Sequence, residues 1–284
     1  VAEKIFQVIE PTLKSKNYDV AFSVRNGGDK EPLTGLGALR VVNGKQLEEL
    51  VKGLIVEMKE KERKAIQVDA DKIVGVAQGD KEMVDAILDH PAISAVSFVG
   101  SSDIAHYVYQ RGVAAGKRVQ AMGGAKNHGI VMPDADLDQV VNDLTGAAFG
   151  SAGERCMALP VVVPVGQKTA DELRERLVAE IETLKVGVSN DAGAQYGPVV
   201  TAAHRDKIAN YIQLGKDEGA ELVVDGRGFK LQGYEKGFFI GPSLFDKVQT
   251  GMKTYHEEIF GPVLQMVRAN TLDEAIALPS KHQY

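Results

Sequence analysis

Cys156 is the single cysteine of the 284-residue chain. It lies in a run of mostly small residues, Phe149-Gly-Ser-Ala-Gly-Glu-Arg-Cys-Met-Ala158. A lone thiol has no intrachain disulfide partner, which points to a reducing compartment. Two roles are left: a small apolar side chain packed in a core, or a nucleophile. Gly150, Ser151, Ala152 and Gly153 would let a substrate come close to the backbone, and Arg155 sets a positive charge beside the sulfur. A nearby cation lowers a thiol pKa from about 8.5 and raises the thiolate fraction at neutral pH. Arg155 itself reads either as half of a surface ion pair or as a planar fork suited to a substrate carboxylate.

Three further segments carry candidate chemistry. Gly100-Ser101 stands between an apolar run and a helix start. Amides at a helix N-terminus attract anions and glycine lets a phosphate approach, although a plain strand-to-helix turn fits the same residues. Gly123-Gly124 precedes Lys126-Asn127-His128, which read as solvated polar residues in a turn, and Glu257-Glu258-Ile-Phe-Gly-Pro262 reads as an acidic pair before a turn. His204, His256 and His282 lie far apart with no ligand spacing, so no metal site is predicted. Asp69 and Asp71 fit a solvated turn better than a metal site.

Alternating elements must position these groups. Ile5, Val8, Ile9 and Leu13 share a helical face over residues 3–16, with Pro11 bending or splitting it. Strands are predicted over 18–24 and 36–42, closed by Asn26-Gly-Gly-Asp29 and Asn43-Gly44. A helix over 46–63 carries the stripe Leu47, Leu50, Val51, Leu54, Ile55 and Met58. With a short strand over 65–68, this order suggests a βαβ unit. Helices are predicted over 81–89, 102–115, 136–149, 169–184 and 201–218, and strands over 93–99, 118–122, 129–132, 160–164, 221–224, 238–240 and 263–267. From Gly79 onward the alternation points to a largely parallel sheet covered by helices.

Taken together and in order, Val96-Ser-Phe-Val-Gly-Ser-Ser102, Met122-Gly-Gly-Ala-Lys-Asn-His128, the cysteine run and Glu257-Glu-Ile-Phe-Gly-Pro-Val263 resemble the aldehyde dehydrogenase superfamily. Gly-Gly-Ala-Lys-Asn-His, Met-Pro-Asp-Ala-Asp-Leu-Asp138 and Gly-Glu-Arg-Cys-Met-Ala resemble its CoA-acylating methylmalonate-semialdehyde dehydrogenases. The resemblance covers about residues 79–284; residues 1–74 carry none. It implies a three-layer α/β/α fold with parallel-sheet cofactor and catalytic domains, incomplete at both ends. The expected division is an unassigned α/β segment 1–74, the second half of a dinucleotide-binding domain over 75–125 and a thiol domain over 126–284.

The same resemblance implies NAD as cofactor, CoA as co-substrate and Cys156 as the nucleophile. Arg155 would bind the carboxylate of a malonic-type semialdehyde, and Gly100, Ser101, Met122, Glu258 and Phe260 would bind the cofactor. Glu258 would take the nicotinamide ribose, since a carboxylate can accept two hydrogen bonds from a diol. Hydrolytic members carry a water-activating glutamate two residues before the Gly-Gly; here that position is Ala121, which takes no proton. The acyl group should therefore leave to CoA, a nucleophile in its own right. The implied products are propionyl-CoA or acetyl-CoA, CO2 and NADH, in valine or inositol catabolism, from a homo-oligomer in the cytoplasm or mitochondrial matrix. The family's oxyanion-hole asparagine and adenosine-ribose lysine have no counterpart in residues 1–78. A hydrolytic dehydrogenase and a catalytically inactive fragment or fusion are the competing readings.

Composition narrows the field further. A net charge of −6 lacks the basic footprint of a nucleic-acid groove. No apolar run reaches the roughly 18 residues of a membrane span, and Val-Ala-Glu-Lys-Ile-Phe6 lacks the order of a signal peptide.

Overall fold

The computed structural model describes residues 20–25, 34–39, 66–69, 74–79, 81–91 and 93–284. They belong to two compact units, Val1–Gly124 and Ala125–Tyr284. The helices predicted over 3–16 and 46–63, the turns at 26–29 and 43–44, and Asp71 lie outside the described residues.

In the first unit, β1 (Val20–Arg25), β2 (Thr34–Leu39), β3 (Ile66–Asp69) and β4 (Val74–Gly79) form a sheet of order β1-β2-β4-β3. Every neighbouring pair is antiparallel. β2 and β3, the strands of the expected βαβ unit, run the same way with β4 between them, and the helix expected to connect them lies outside the described residues. Nothing in the sequence announced β4. Its residues, Val-Gly-Val-Ala-Gln-Gly, put glycine or alanine at every second position, so one face lacks the bulk by which a strand is recognised.

The rest of the first unit follows the predicted rhythm. Helix α1 (Lys81–Asp89), β5 (Ala95–Val99), α2 (Ser102–Ala114) and β6 (Arg118–Met122) succeed one another, and β5 pairs with β6 in parallel. Val96 and Phe98 alternate inward along β5 and meet Val84, Leu88, Ala105 and Val108 of the two helices. Lys117 is buried, yet its ammonium donates to the carbonyls of His90 (2.5 Å) and Ile93 (2.7 Å), fastening the turn after α1 to the start of β6.

The second unit is built on five strands: β7 (His128–Val131), β8 (Val161–Pro164), β9 (Glu221–Val224), β10 (Ser243–Asp246) and β11 (Val263–Met266). The sheet order is β7-β8-β11-β10-β9; the first four are parallel and β9 is antiparallel to β10. All residues of β8, β10 and β11 are buried, so the sheet is covered on both faces, as a parallel α/β layer requires. The longer helices are α3 (Leu137–Phe149), α4 (Gln167–Thr183) and α5 (Ala202–Asp217); two short ones, α6 (Lys253–His256) and α7 (Leu272–Ser280), follow.

The strand expected over 238–240 is absent. Phe239 and Ile240 are buried and Phe238 is exposed, but all three lie outside any ladder, and β10 begins at Ser243 instead. Its polar ends hid it. Ser243 accepts a hydrogen bond from the Gly226 amide, and Asp246 is fully buried against the Arg268 guanidinium at 2.9 and 2.6 Å. Among the described residues, no helix is long and apolar enough to cross a membrane.

Candidate active site

The cysteine loop begins where α3 fails to continue. After Phe149 the backbone enters a left-handed turn, with φ of 54° at Ser151, 56° at Ala152 and 68° at Gly153. For residues with a Cβ this conformation costs about 1–2 kcal/mol each. Buried Phe149 and Ala152 anchor the turn on both sides. Gly153 is required twice over, by its φ and because a Cβ there would sit 2.1 Å from the Gly261 carbonyl oxygen. The thiol loop and the loop after α6 therefore meet backbone to backbone.

Cys156 itself is exposed. It lines a pocket with Asn127, Arg155, Glu258 and Phe260. Arg155 donates from Nε to the Ser151 hydroxyl at 3.1 Å, and its guanidinium lies over Gly150, where a Cβ would come within 2.8 Å of it. It makes no ion pair with a described residue, so the ion-pair reading finds no partner among them.

On the facing loop, Glu258 accepts from the Ala125 amide at 3.3 Å, and burial raises its pKa while Lys126 pulls the other way. Its second oxygen has no protein donor among the described residues. Phe260 sits at φ 60°. Its carbonyl accepts a 2.6 Å hydrogen bond from His204 Nε2–H, and the same nitrogen lies 3.4 Å from the Glu154 carboxylate. His204 thus touches both pocket loops. It is placed in the first turn of α5 by Thr201, whose hydroxyl caps the His204 amide.

The segment leading into β7 is not a solvated turn. Lys126 is buried and donates to the carbonyls of Thr254 (2.9 Å) and Glu257 (2.7 Å). Burial pushes its pKa down to about 7. Asn127 Nδ2 donates to the carbonyls of Cys156 (3.1 Å) and Ala158 (2.7 Å). His128 Nδ1–H donates to the Lys126 carbonyl, leaving Nε2 to accept from the Tyr255 hydroxyl. The signal was the alternation Lys126, His128, Ile130, which continues the strand backward. His256 and His282, distant in sequence, also come together, their rings 5.7 Å apart. Among the described residues no cluster of histidine, cysteine or carboxylate groups is suited to hold a metal.

Gly100, Ser101 and Met122 lie in the first unit. Ser101 caps α2 in extended conformation without a side-chain capping bond, and the Gly100 amide donates to the Met122 carbonyl at 3.1 Å. Gly123 packs so close to Ser102 that a Cβ would come within 2.8 Å of its hydroxyl. The Gly124 amide donates to that hydroxyl. The structure thus gathers Gly100, Ser101 and Met122 at the edge of β5 and β6, and Arg155, Cys156, Glu258 and Phe260 around the pocket of the second unit.

Comparison with known proteins gives the family. The aldehyde dehydrogenase family profile matches residues 41–284, reaching into the stretch before 74 that the motifs leave unassigned. A malonate-semialdehyde dehydrogenase of Pseudomonas aeruginosa is 55% identical over 212 residues, which are 75% of this chain and 43% of that protein. The human mitochondrial acylating methylmalonate-semialdehyde/malonate-semialdehyde dehydrogenase is 45% identical over 214 residues, 75% of this chain and 40% of that one. A structure described as a methylmalonate-semialdehyde dehydrogenase of Sinorhizobium meliloti complexed with NAD aligns with a TM-score of 0.74 at 41% identity, covering 100% of this chain and 62% of the other. The chain spans less than half the length of the curated relatives it matches. A thiol on a left-handed turn, a facing Glu-Glu-Ile-Phe-Gly loop and a profile match over most of the sequence have one common reading: the chain belongs to the aldehyde dehydrogenase family.

Proposed function

We propose that this chain carries the thiol site of an NAD-dependent, CoA-acylating dehydrogenase of malonic-type semialdehydes. The observation that carries the reading is an exposed Cys156 thiol in a pocket beside Arg155, which has no ion-pair partner among the described residues. The Cys156 thiolate adds to the aldehyde carbon, forming the C–S bond while the carbonyl electron pair moves to oxygen. Arg155 holds the substrate carboxylate through its planar fork. NAD, when bound, supplies the hydride acceptor for this oxidation.

The residues present fit that cofactor. The N-terminus of α2 has no side-chain cap, so its amides suit a phosphate, and the second Glu258 oxygen suits a ribose hydroxyl. By the resemblance, Gly100, Ser101, Met122, Glu258 and Phe260 are the residues that would hold it. In that reading residues 75–125 are the second half of the dinucleotide-binding domain and 126–284 the thiol domain.

Oxidation leaves an acyl group on the sulfur as a thioester. The carboxylate beta to that carbonyl departs as CO2, its bonding pair staying on the α-carbon, which then takes a proton. The CoA thiolate attacks the acyl carbon, and Cys156 leaves as thiolate. Ala121 has no group to activate water at the position where hydrolytic relatives carry glutamate, which favours CoA as acceptor. A homo-oligomer in a reducing compartment, cytoplasm or mitochondrial matrix, completes the proposal. The test is a product assay with malonate semialdehyde and NAD: acetyl-CoA should form with CoA present, and turnover should be slow without it. Rapid release of free acid in the absence of CoA would overturn the acylating assignment.

A further inference from the structure

We infer that Asn127 is a positioning residue for Cys156: its side-chain amide holds the turn that presents the thiol. Three observations meet here. Residues 155–158 form a turn closed by the Ala158 amide on the Arg155 carbonyl at 3.0 Å. The turn is exposed at Arg155, Cys156 and Met157, and Met157 is 86% exposed, so little packing holds it. Asn127 Nδ2 donates to carbonyls on both sides of Met157, those of Cys156 and Ala158.

Both partners are acceptors, so only the NH2 end of the amide can face them. The amide stands on a fixed platform. The Lys126 ammonium is tied to two carbonyls, His128 is bonded through both ring nitrogens, and the Asn127 carbonyl accepts from the Val161 amide at 3.3 Å as β7 meets β8. A rigid strand entrance therefore grips an otherwise loosely packed turn through one side chain. An aspartate at 127 has the same shape but sets oxygen against oxygen, and a leucine removes both bonds without adding charge.

The inference rests on Cys156 being the nucleophile, and its test separates the two ideas. Because Cys156 is the only cysteine, cysteine labelled with carbon-13 at Cβ gives one NMR signal for the whole chain. In the unmodified chain that signal should be single and sharp, and the Asn127 side-chain protons should exchange with water at least about tenfold more slowly than those of a free amide. In Asn127→Leu the cysteine signal should broaden or split. If acyl-CoA is formed, kcat should fall by about tenfold or more with the KM for semialdehyde and NAD held within about twofold. An unmodified chain that makes no acyl-CoA but shows the NMR behaviour defeats the proposed function and leaves the grip intact. Free exchange of the Asn127 protons in the unmodified chain, or an unchanged cysteine signal in a folded Asn127→Leu, overturns the inference. The exchange measurement needs no variant, so a variant that fails to fold does not protect the idea.

Discussion

Arg155 and Cys156 sit side by side in sequence, but the structure gives them different surroundings. Arg155 leans back over Gly150 toward Ser151, while Cys156 belongs to the turn held by Asn127. A guanidinium without an ion-pair partner among the described residues is available to an incoming carboxylate. A charge-assisted pair of this kind is worth about 1.5–3 kcal/mol, or roughly 10- to 150-fold in affinity. Arg155→Leu should lower kcat/KM for malonate semialdehyde by about that factor and leave propanal nearly unchanged. Parallel kinetics on the two aldehydes check it; equal losses would mean that Arg155 supports the loop instead. Cys156 and Arg155 stand out in the sequence as a lone thiol beside a cation in a glycine-rich run, and the structure sets both at one pocket. Asn127, Lys126 and His204 do not stand out, since their roles depend on carbonyls 29 to 131 residues away, and no local pattern reports such partners.

The elements that build the pocket are two loops in contact, and Gly153 is where they touch. With φ at 68° and a Cβ position 2.1 Å from the Gly261 oxygen, Gly153→Ala must shift backbone on one side or the other. It should destabilise the second unit by about 2 kcal/mol or more in urea unfolding and slow alkylation or acylation of Cys156. Gly150→Ala meets only the flexible Arg155 guanidinium and should cost less, about 1 kcal/mol. A reversed order would place the strain elsewhere. The regular elements were largely readable from apolar periodicity, with edges displaced by a residue or two. The failures are specific. β4 lacks bulk on one face, β10 carries buried polar ends satisfied by Gly226 and Arg268, and the antiparallel arrangement of β1 to β4 depends on strand pairing that periodicity does not encode. Helix α7 went unremarked although Thr271-Leu-Asp-Glu274 is a capping signature: the Thr271 hydroxyl accepts from the Glu274 amide, and the Glu274 carboxylate from the Asn270 amide.

For the second unit as a whole, stability should depend on pH through three histidines. Burial lowers the pKa of His128, His204 and His282 below the usual 6.5. All three are bonded as neutral rings. His282 donates from Nε2 to the Tyr255 carbonyl and accepts at Nδ1 from the Tyr284 amide, so a second proton on any of them displaces a partner or strands a donor. The unfolded chain takes up these protons near pH 6.5 while the folded unit resists until lower pH. Stability contributed by these rings is therefore complete above about pH 6.5, falls as pH drops through that value and levels off below the folded pKa values. Urea midpoints at about pH 7.5 and about pH 5.5 should show this loss. His204→Gln, which keeps a donor for the Phe260 carbonyl without titrating, should reduce it; an unchanged loss in that variant would exclude His204 from the effect. The central claim is that Cys156 carries the acyl group and CoA removes it. The direct measurement is the intact mass of the chain incubated with malonate semialdehyde and NAD but no CoA, followed by addition of CoA. An acetyl adduct should appear on Cys156, be absent in Cys156→Ala and discharge as acetyl-CoA. Turnover with no adduct on Cys156, or an adduct that CoA leaves in place, would contradict it.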